Sequence, residues 1–296
     1  MNSPSSPALR HWLIFAVWVI VCSLAFWKPL YALAQYALSN DNASHILVIP
    51  FIVAWLIYLD RQKIRQTTFD LVAASFFAIP AAALAAIFLF NSFKDSSLVL
   101  AGLILSFLIF LISGFIAVFG RKCSKSVWFP LAFLGFLIPF PEPLLDRIIY
   151  FLQAGSADVA EALFDCSGVP VLRDGFYFRL PKMSIEVARE CSGIRSSIAL
   201  VILALLVAHF SFSKFWKKVV FVIAGLVMMV VKNGVRIATL TILANYVDPD
   251  FLYGKLHKEG GVVFFLIGLV LLLPVYWLLR RGDAQPSLAR SEVSPT

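Results

Sequence analysis

The sequence predicts an all-α membrane protein: a polytopic bundle of about eight transmembrane helices with a small extracytoplasmic cap. The 296 residues are 60% hydrophobic and only 14% charged, whereas soluble domains carry about 25% charged residues. Several apolar runs reach the roughly 20 residues that a helix needs to cross a bilayer. These runs are continuous rather than alternating, which indicates helices and not a β-barrel.

Eight apolar segments are predicted to cross the membrane. Their approximate ranges are 12–34, 45–60, 70–91, 97–119, 126–140, 192–212, 217–245 and 257–280. The predicted organisation is a disordered cytoplasmic tail at 1–10, a transmembrane domain at 11–280 and a cytoplasmic tail at 281–296.

Basic residues in the short loops predict the orientation. If there are eight spans, most of them fall on one side, namely Arg10, Arg61, Lys63, Arg65, Arg121, Lys122, Lys125, Lys214, Lys217, Lys218, Arg280, Arg281 and Arg290. Cytoplasmic loops carry an excess of lysine and arginine, so both termini are expected in the cytoplasm. The same loops account for the net charge of +8, and no nucleic-acid partner is predicted.

The segment 141–190 is then expected outside the membrane as a cap. Residues 143–165 fit an amphipathic helix with a predicted apolar face made of Leu144, Leu145, Ile148, Ile149 and Leu152. Gln153 falls off that face. In residues 169–187, apolar and polar residues alternate as they do in strands, and Gly175 and Pro181 favour turns between them. An additional span at 143–165 is the alternative, but it would invert every later loop.

The seventh span contains polar residues that a membrane helix rarely carries: Lys232, Asn233 and Arg236. Arg236 lies ten residues before Tyr246, which is about 15 Å along a helix. Ionisable residues inside a span usually face a protein interior or a wet cavity and are functional by default. The alternatives are contacts between helices and snorkelling to the interface.

Cys191 stands where a polar segment meets the apolar run that begins at Ile198. Ser192 is the expected N-cap of the following helix, and the positive end of a helix lowers the pKa of a nearby thiol. Neighbouring charges act in both directions, since arginines favour the thiolate and glutamates oppose it: Arg189, Arg195, Glu186 and Glu190. The alternative is that Cys191 is a small interfacial residue.

Two histidines are predicted at the same outer level as Cys191: His257 opens the eighth span, and His45 opens the second. A thiol, an imidazole and the guanidinium of Arg236 together suit acyl transfer, because they supply a nucleophile, a general acid and a fixed cation. An interfacial histidine can equally be a solvated residue at the end of a helix. The four cysteines show no metal-type clustering, and no metal or cofactor is predicted.

A disulfide is a competing use of Cys191. Cys166-Ser-Gly168 repeats the tripeptide Cys191-Ser-Gly193, and both cysteines are predicted on the outer side. In an oxidising compartment the two thiols could pair.

Five stretches, taken together, resemble the exosortase/archaeosortase family of membrane cysteine transpeptidases. They are Ser44–Pro50, Gly168–Gly175, Val187–Ser196, Asn233–Ile237, and His257 followed by Gly260 and Gly261. The combination of Cys-Ser-Gly, Asn-x-x-Arg and a later histidine is the specific part.

The resemblance implies catalytic roles for Cys191, Arg236 and His257, with His45, Ser192, Gly193, Arg195 and Asn233 in support. It implies partners that are exported proteins with a C-terminal sorting signal, consisting of a motif such as Pro-Glu-Pro, a transmembrane helix and a basic tail. It also implies a bacterial inner-membrane location with the active site facing the periplasm. The acceptor of the cleaved chain, the motif subclass, and the choice between hydrolysis and transfer stay open.

Two other classes of function remain: a transporter and a non-catalytic scaffold in envelope or exopolysaccharide assembly. A through-path for solute is disfavoured because the inner half of the seventh span, Val219 to Val231, is almost wholly apolar. A scaffold would tolerate loss of the Cys191 thiol, and an enzyme would not.

Overall fold

The computed structural model describes residues 6–64, 68–90, 93, 95–189, 193–252 and 261–281. These residues are almost entirely helical, which confirms the all-α prediction. The chain divides into two compact units, residues 1–145 and 146–296. Among the described residues, six helices are long and apolar enough to cross a membrane, or up to eight if each of two bent pairs forms one span. The predicted eight is therefore the upper end of this range.

The described residues of the first unit form six α-helices, three short 3₁₀ segments and the first residues of a seventh helix. The helices are α1 (Ser6–Ala25), α2 (Trp27–Ser39), α3 (Ile49–Leu59), α4 (Leu71–Phe90), α5 (Ser96–Ser126) and α6 (Trp128–Phe133), and the 3₁₀ segments are Asp41–Leu47, Arg61–Ile64 and Leu134–Leu137. Its core lies where α1 meets α5. There Phe115 and Phe119 are fully buried and their rings pack against Trp12 and Phe15.

The predicted first span, 12–34, corresponds to two helices that can form one span only as a bent pair. The chain bends by 79° between Leu9–Ala25 and Trp27–Ser39. Trp27 and Tyr31 follow the bend, stack on each other and are exposed. Such residues suit the boundary between lipid and water. α1 also begins at Ser6, so residues 6–10 of the expected disordered tail are helical.

The predicted fifth span, 126–140, is also shorter than expected. It consists of α6 and the 3₁₀ segment Leu134–Leu137. Neither is long enough to cross a bilayer. This stretch qualifies only as a bent pair with the next helix, α7 (Glu142–Cys166).

In the second unit, the part of the chain that the structure describes forms most of α7, a small sheet and three long apolar helices. The helices are α8 (Ile194–Ser211), α9 (Phe215–Tyr246) and α10 (Gly261–Arg280), with a short 3₁₀ turn at Pro249–Leu252. Strands β1 (Leu172–Asp174), β2 (Tyr177–Arg179) and β3 (Ser184–Glu186) pair antiparallel in the order β1-β2-β3. The strand-like alternation predicted for 169–187 is thus confirmed, with three strands forming a sheet.

The sheet is attached to α7 by packing and by charge. Phe178 of β2 is fully buried and its ring meets Phe164 of α7. Arg173 of β1 donates to Asp158 at 2.8 Å and to Glu161 at 2.6 Å. Burial acts to lower the pKa of Arg173, but the hydrogen bonds and charges of these two carboxylates outweigh it and raise the pKa.

α7 is the amphipathic helix that the sequence predicts, but its buried face differs from the predicted one. Ile149 and Leu152 are buried as expected, whereas Leu144 is exposed. Gln153 and Ser156, which are polar, lie inside. Their burial is possible because both have hydrogen-bond partners within the second unit, since buried polar groups are costly only when unpaired.

α7 and α9 approach closely through small residues. A Cβ atom on Gly234 of α9 would lie 2.5 Å from the Cβ and Cγ1 of Val159, and one on Gly155 of α7 would lie 2.8 Å from Val230 Cγ1. The two helices can therefore lie this close only because both positions lack a side chain.

Gly234→Ala should consequently loosen the contact between α7 and α9. Overpacking of this kind costs about 1–3 kcal/mol, so we expect the Tm of the purified protein in detergent to fall by several degrees. Gly135→Ala is the matched control, because nothing lies within 4 Å of a Cβ at that position. Equal Tm values for the two variants would contradict this account of the packing.

Candidate functional site

The predicted site residues fall partly outside the described structure. Cys191, Ser192 and His257 lie in the segments 190–192 and 253–260, which are not described. Gly193, Arg195, Asn233 and Arg236 belong to the second unit, and His45 belongs to the first. The described residues nevertheless show what surrounds the Cys191 segment on both sides.

The polar residues of α9 face the interior of the second unit. Lys232 is 2% exposed and Asn233 is 1% exposed. Arg236 lies one turn further along the helix and is half-buried. The expectation that these intramembrane polar residues face protein rather than lipid is confirmed for Lys232 and Asn233.

Asn233 connects α9 with α7. Its Nδ2 donates to the Oγ of Ser156 at 3.1 Å, and Ser156 is fully buried. This hydrogen bond fixes the orientation of the Asn233 amide. It lies beside the close contact at Gly234, where the two backbones are near enough for short side chains to meet.

Lys232 connects α9 with the first turn of α8. Its Nζ donates to the Oγ of Ser196 at 2.6 Å. The Oγ of Ser196 in turn donates to the carbonyl oxygen of Gly193 at 3.0 Å. A short chain of hydrogen bonds therefore runs from the interior lysine to the residue that ends the Cys191-Ser192-Gly193 tripeptide.

Gly193 is the N-cap of α8, one residue later than the predicted cap at Ser192, so that prediction is wrong. Its φ is +67°, in the left-handed region that favours glycine, and no side chain caps the helix. The first helical bond runs from Ser197 N to Gly193 O at 2.9 Å. The backbone N–H groups of the first turn, which come before Ser197, have no acceptor within the helix.

Gly193 also lies directly against α9. A Cβ atom at this position would be 2.8 Å from Asn233 Oδ1 and 3.4 Å from Lys232 Nζ. Two of the predicted residues, Gly193 and Asn233, are thus brought together by the structure. Arg195, also predicted, is exposed on the first turn of α8.

The chain before Cys191 is held as well. Gln153 Nε2 of α7 donates to the carbonyl oxygen of Val187 at 2.8 Å, and Val187 N donates to Phe176 O at 2.9 Å. Arg189 forms an ion pair with Asp146 near the start of the second unit. Residues 187–189 and Gly193 therefore have fixed positions on either side of residues 190–192.

His45 lies in the 3₁₀ segment of the first unit. It is half-buried, and its imidazole hydrogen-bonds backbone groups of Asn42 and Phe136. Both contacts lie within the first unit, and the supporting role of His45 in the site stays a prediction.

Cys166 carries a free, exposed thiol at the end of α7. Cys191, the partner that the repeated tripeptide suggested for it, lies outside the described residues.

Three residues that help to build this region were not predicted from the sequence as site residues: Gln153, Ser156 and Ser196. Gln153 and Ser156 are three residues apart on α7, a spacing that puts polar groups on one face, and this is the signal that could have identified them. Lys232 was recognised as an unusual membrane residue but was given no role in the site.

These features define a polytopic helical membrane protein in which buried polar residues of a long helix contact the turn that follows a cysteine. The chain belongs to the transmembrane exosortase family, whose sequence model matches residues 35–274. This family comprises membrane cysteine transpeptidases that act on exported proteins carrying sorting signals. No curated protein and no solved structure matches the chain significantly.

The position of Gly193 leads to a prediction for Gly193→Ala. A side chain there meets both backbone strain and Asn233, so we expect a loss of stability of about 2–4 kcal/mol from the left-handed φ and the overpacking together. Gly168→Ala is the matched control, because Gly168 has the same φ of +67° but nothing within 4 Å of its Cβ position.

The difference in unfolding free energy between these two variants measures the contact with Asn233. The loss caused by Gly193→Ala should be smaller when it is measured in an Asn233→Ala background, since that background lacks the oxygen that the new methyl group meets. Identical stabilities of Gly193→Ala and Gly168→Ala would show that the contact is unimportant.

Proposed function

We propose that this protein cleaves the C-terminal sorting signal of exported proteins through a thioester on Cys191, and that it transfers the new C-terminus to an acceptor in the envelope. The observation that carries the proposal is the contact of Gly193 with Asn233, one turn from Arg236 on α9. It supports a common site for the Cys-Ser-Gly and Asn-x-x-Arg stretches, which are 40 residues apart in sequence. Family membership supports the same chemistry.

In the first step, the Cys191 thiolate attacks the scissile carbonyl carbon and a tetrahedral oxyanion forms. The guanidinium of Arg236 stabilises this negative charge, and it stays protonated at any working pH. The C–N bond then breaks. His257 donates its proton to the departing amine, and the thioester remains on the enzyme.

In the second step, an amine or hydroxyl of the acceptor attacks the thioester. Neutral His257 takes the proton of this nucleophile, and the Cys191 thiolate leaves. Water in place of the acceptor would give hydrolysis, so the two outcomes differ only in the second nucleophile. No cofactor enters either step.

The proposed membrane topology places this chemistry on the periplasmic side of a bacterial inner membrane. The support is the distribution of basic residues, which favours cytoplasmic termini under the positive-inside rule. The apolar spans would then receive the transmembrane helix of the substrate from the lipid, and residues 141–190 would cover the outer face.

Processing of a co-expressed protein with a Pro-Glu-Pro-type C-terminal helix tests the proposed reaction. Cys191→Ala should abolish the size shift, and Cys166→Ala, which alters the other Cys-Ser-Gly sequence, should leave it unchanged. Arg236→Gln should slow processing by about 10²–10³, as loss of an oxyanion donor does, and His257→Gln should also be strongly impaired. Wild-type processing by Cys191→Ala, in protein that inserts normally, would overturn the mechanism and favour a scaffold or transporter.

The free thiol of Cys166 tests the topology. In a Cys191→Ala background, a membrane-impermeant maleimide should label Cys166 on intact spheroplasts, because the thiol is exposed and predicted outside. The control is Lys125→Cys with Cys166→Ala: position 125 is exposed and predicted on the cytoplasmic side, so it should be labelled only after lysis. The reverse pattern would show that the orientation is inverted.

A further inference from the structure

We propose that the predicted cytoplasmic end of the first unit holds a binding site for a phosphate group, and that its ligand is the headgroup of an anionic phospholipid. The site is a cavity of about 630 Å³ between the 3₁₀ segment Arg61–Ile64, the start of α4 and the charged end of α5. All of its lining residues belong to the first unit, so the inference goes beyond the proposed reaction and does not depend on it.

The cavity carries a surplus of positive charge. Its lining contains three basic side chains, Lys63, Arg121 and Lys122, and one carboxylate, that of Asp70. Three cations against one anion leave a formal charge of +2 at neutral pH. A concave surface lined by one sign of charge concentrates ions of the opposite sign. The cavity therefore attracts an anion.

The ion pairs at the cavity leave part of its hydrogen-bonding capacity unused. Arg121 donates from Nε to Asp70 at 3.0 Å, which uses one of the five guanidinium donors. Lys63 pairs with Asp60 at 2.7 Å, and in the part of the chain that the structure describes no acid pairs with Lys122. Guanidinium and ammonium groups with donors to spare match the several oxygens of a phosphate.

The walls of the cavity are joined to each other by backbone contacts. The helical backbone of α5 breaks at Gly120, whose φ is +80°, and a Cβ at that position would lie 2.6 Å from the carbonyl oxygen of Thr68. Two residues later, Asp70 N donates to Ala117 O at 3.1 Å. The segments that carry Asp70 and Arg121 are thus fixed side by side, which lowers the cost of ordering them around a ligand.

Exposed apolar residues beside the cavity favour a lipid over a soluble phosphate. Phe69, Leu71 and Val72 flank Asp70 in sequence, and each is more than half exposed. They stand at the start of α4, one of the helices apolar enough to cross a membrane. Trp128, just beyond the charged end of α5, is also exposed and suits the boundary between lipid and water. Basic pockets between membrane helices on the cytoplasmic side bind anionic headgroups in this way.

Thermal unfolding of the purified protein in a neutral detergent tests the site. Dioctanoyl phosphatidylglycerol should raise the Tm, because a ligand that binds only the folded state stabilises it. Dioctanoyl phosphatidylcholine, whose headgroup has no net charge, should raise it much less. Lys122→Gln should weaken the apparent affinity for phosphatidylglycerol by about fivefold, the contribution of one basic residue near an anionic headgroup. Lys125→Gln is the matched control and should bind as the wild type does, because Lys125 is exposed at the same end of α5 but does not line the cavity.

Asp70→Asn is a second variant for which the opposite change is expected. Asp70 Oδ1 accepts a hydrogen bond from Ala73 N at 2.9 Å at the start of α4, and an asparagine can keep this bond. The substitution removes the carboxylate of the cavity and releases Arg121. The apparent affinity for phosphatidylglycerol should therefore rise by about fivefold. A fall or no change in affinity would contradict the proposed binding of an anion here.

Inorganic phosphate and glycerol 3-phosphate, added at matched ionic strength, distinguish the two sources of a phosphate group. Little stabilisation by either supports the lipid. Stabilisation equal to that by phosphatidylglycerol, and lost in Lys122→Gln, would overturn the lipid in favour of a soluble phosphate ligand. Equal responses of Lys122→Gln and Lys125→Gln to phosphatidylglycerol would overturn the site itself, because the lipid would then respond only to the basic surface as a whole.

Discussion

The close approach of α7 and α9 is the constraint on which the rest of the second unit depends. It requires the absence of side chains at Gly155 and Gly234. The short distance lets Ser156 reach Asn233, and the oriented Asn233 leaves room for Gly193 but not for a larger residue. One contact between small residues thereby determines where α8 begins, and with it the position of the chain that leaves Cys191.

α7 links the sheet to the membrane helices. Its Phe164, together with Asp158 and Glu161, holds the small sheet, while Gln153 holds the chain as it leaves the sheet. The same helix contacts α9 through Ser156. The sheet is therefore connected to the chain before residue 190 in two ways, directly through residues 187–189 and through α7 by the hydrogen bond from Gln153 to Val187.

Much of this arrangement could be predicted from the sequence, because hydropathy determines which segments enter a bilayer. The all-α class, the interior location of Lys232 and Asn233, and the helix at 143–165 follow from apolar runs and their exceptions. The 79° bend after Ala25 could not be predicted, since a hydropathy profile shows how apolar a segment is but not the angle between one helix and the next. The burial of Gln153 was missed for a related reason: an amphipathic pattern assigns polar groups to water, whereas this amide has a backbone partner inside. The cap at Gly193 depends on a left-handed backbone in contact with α9, which is tertiary information.

The pairing of α9 with α10 has a kinetic consequence. Lys217 Nζ donates to the carbonyl oxygens of Leu279 and Arg281, and Lys232 packs on Gly268, so the two helices are joined at two levels. The only chain between Leu252 and Gly261 is the segment 253–260, which contains His257. With only this short connection between them, α9 and α10 can meet quickly as the chain folds, because closing a loop of about ten residues takes roughly 10–100 ns.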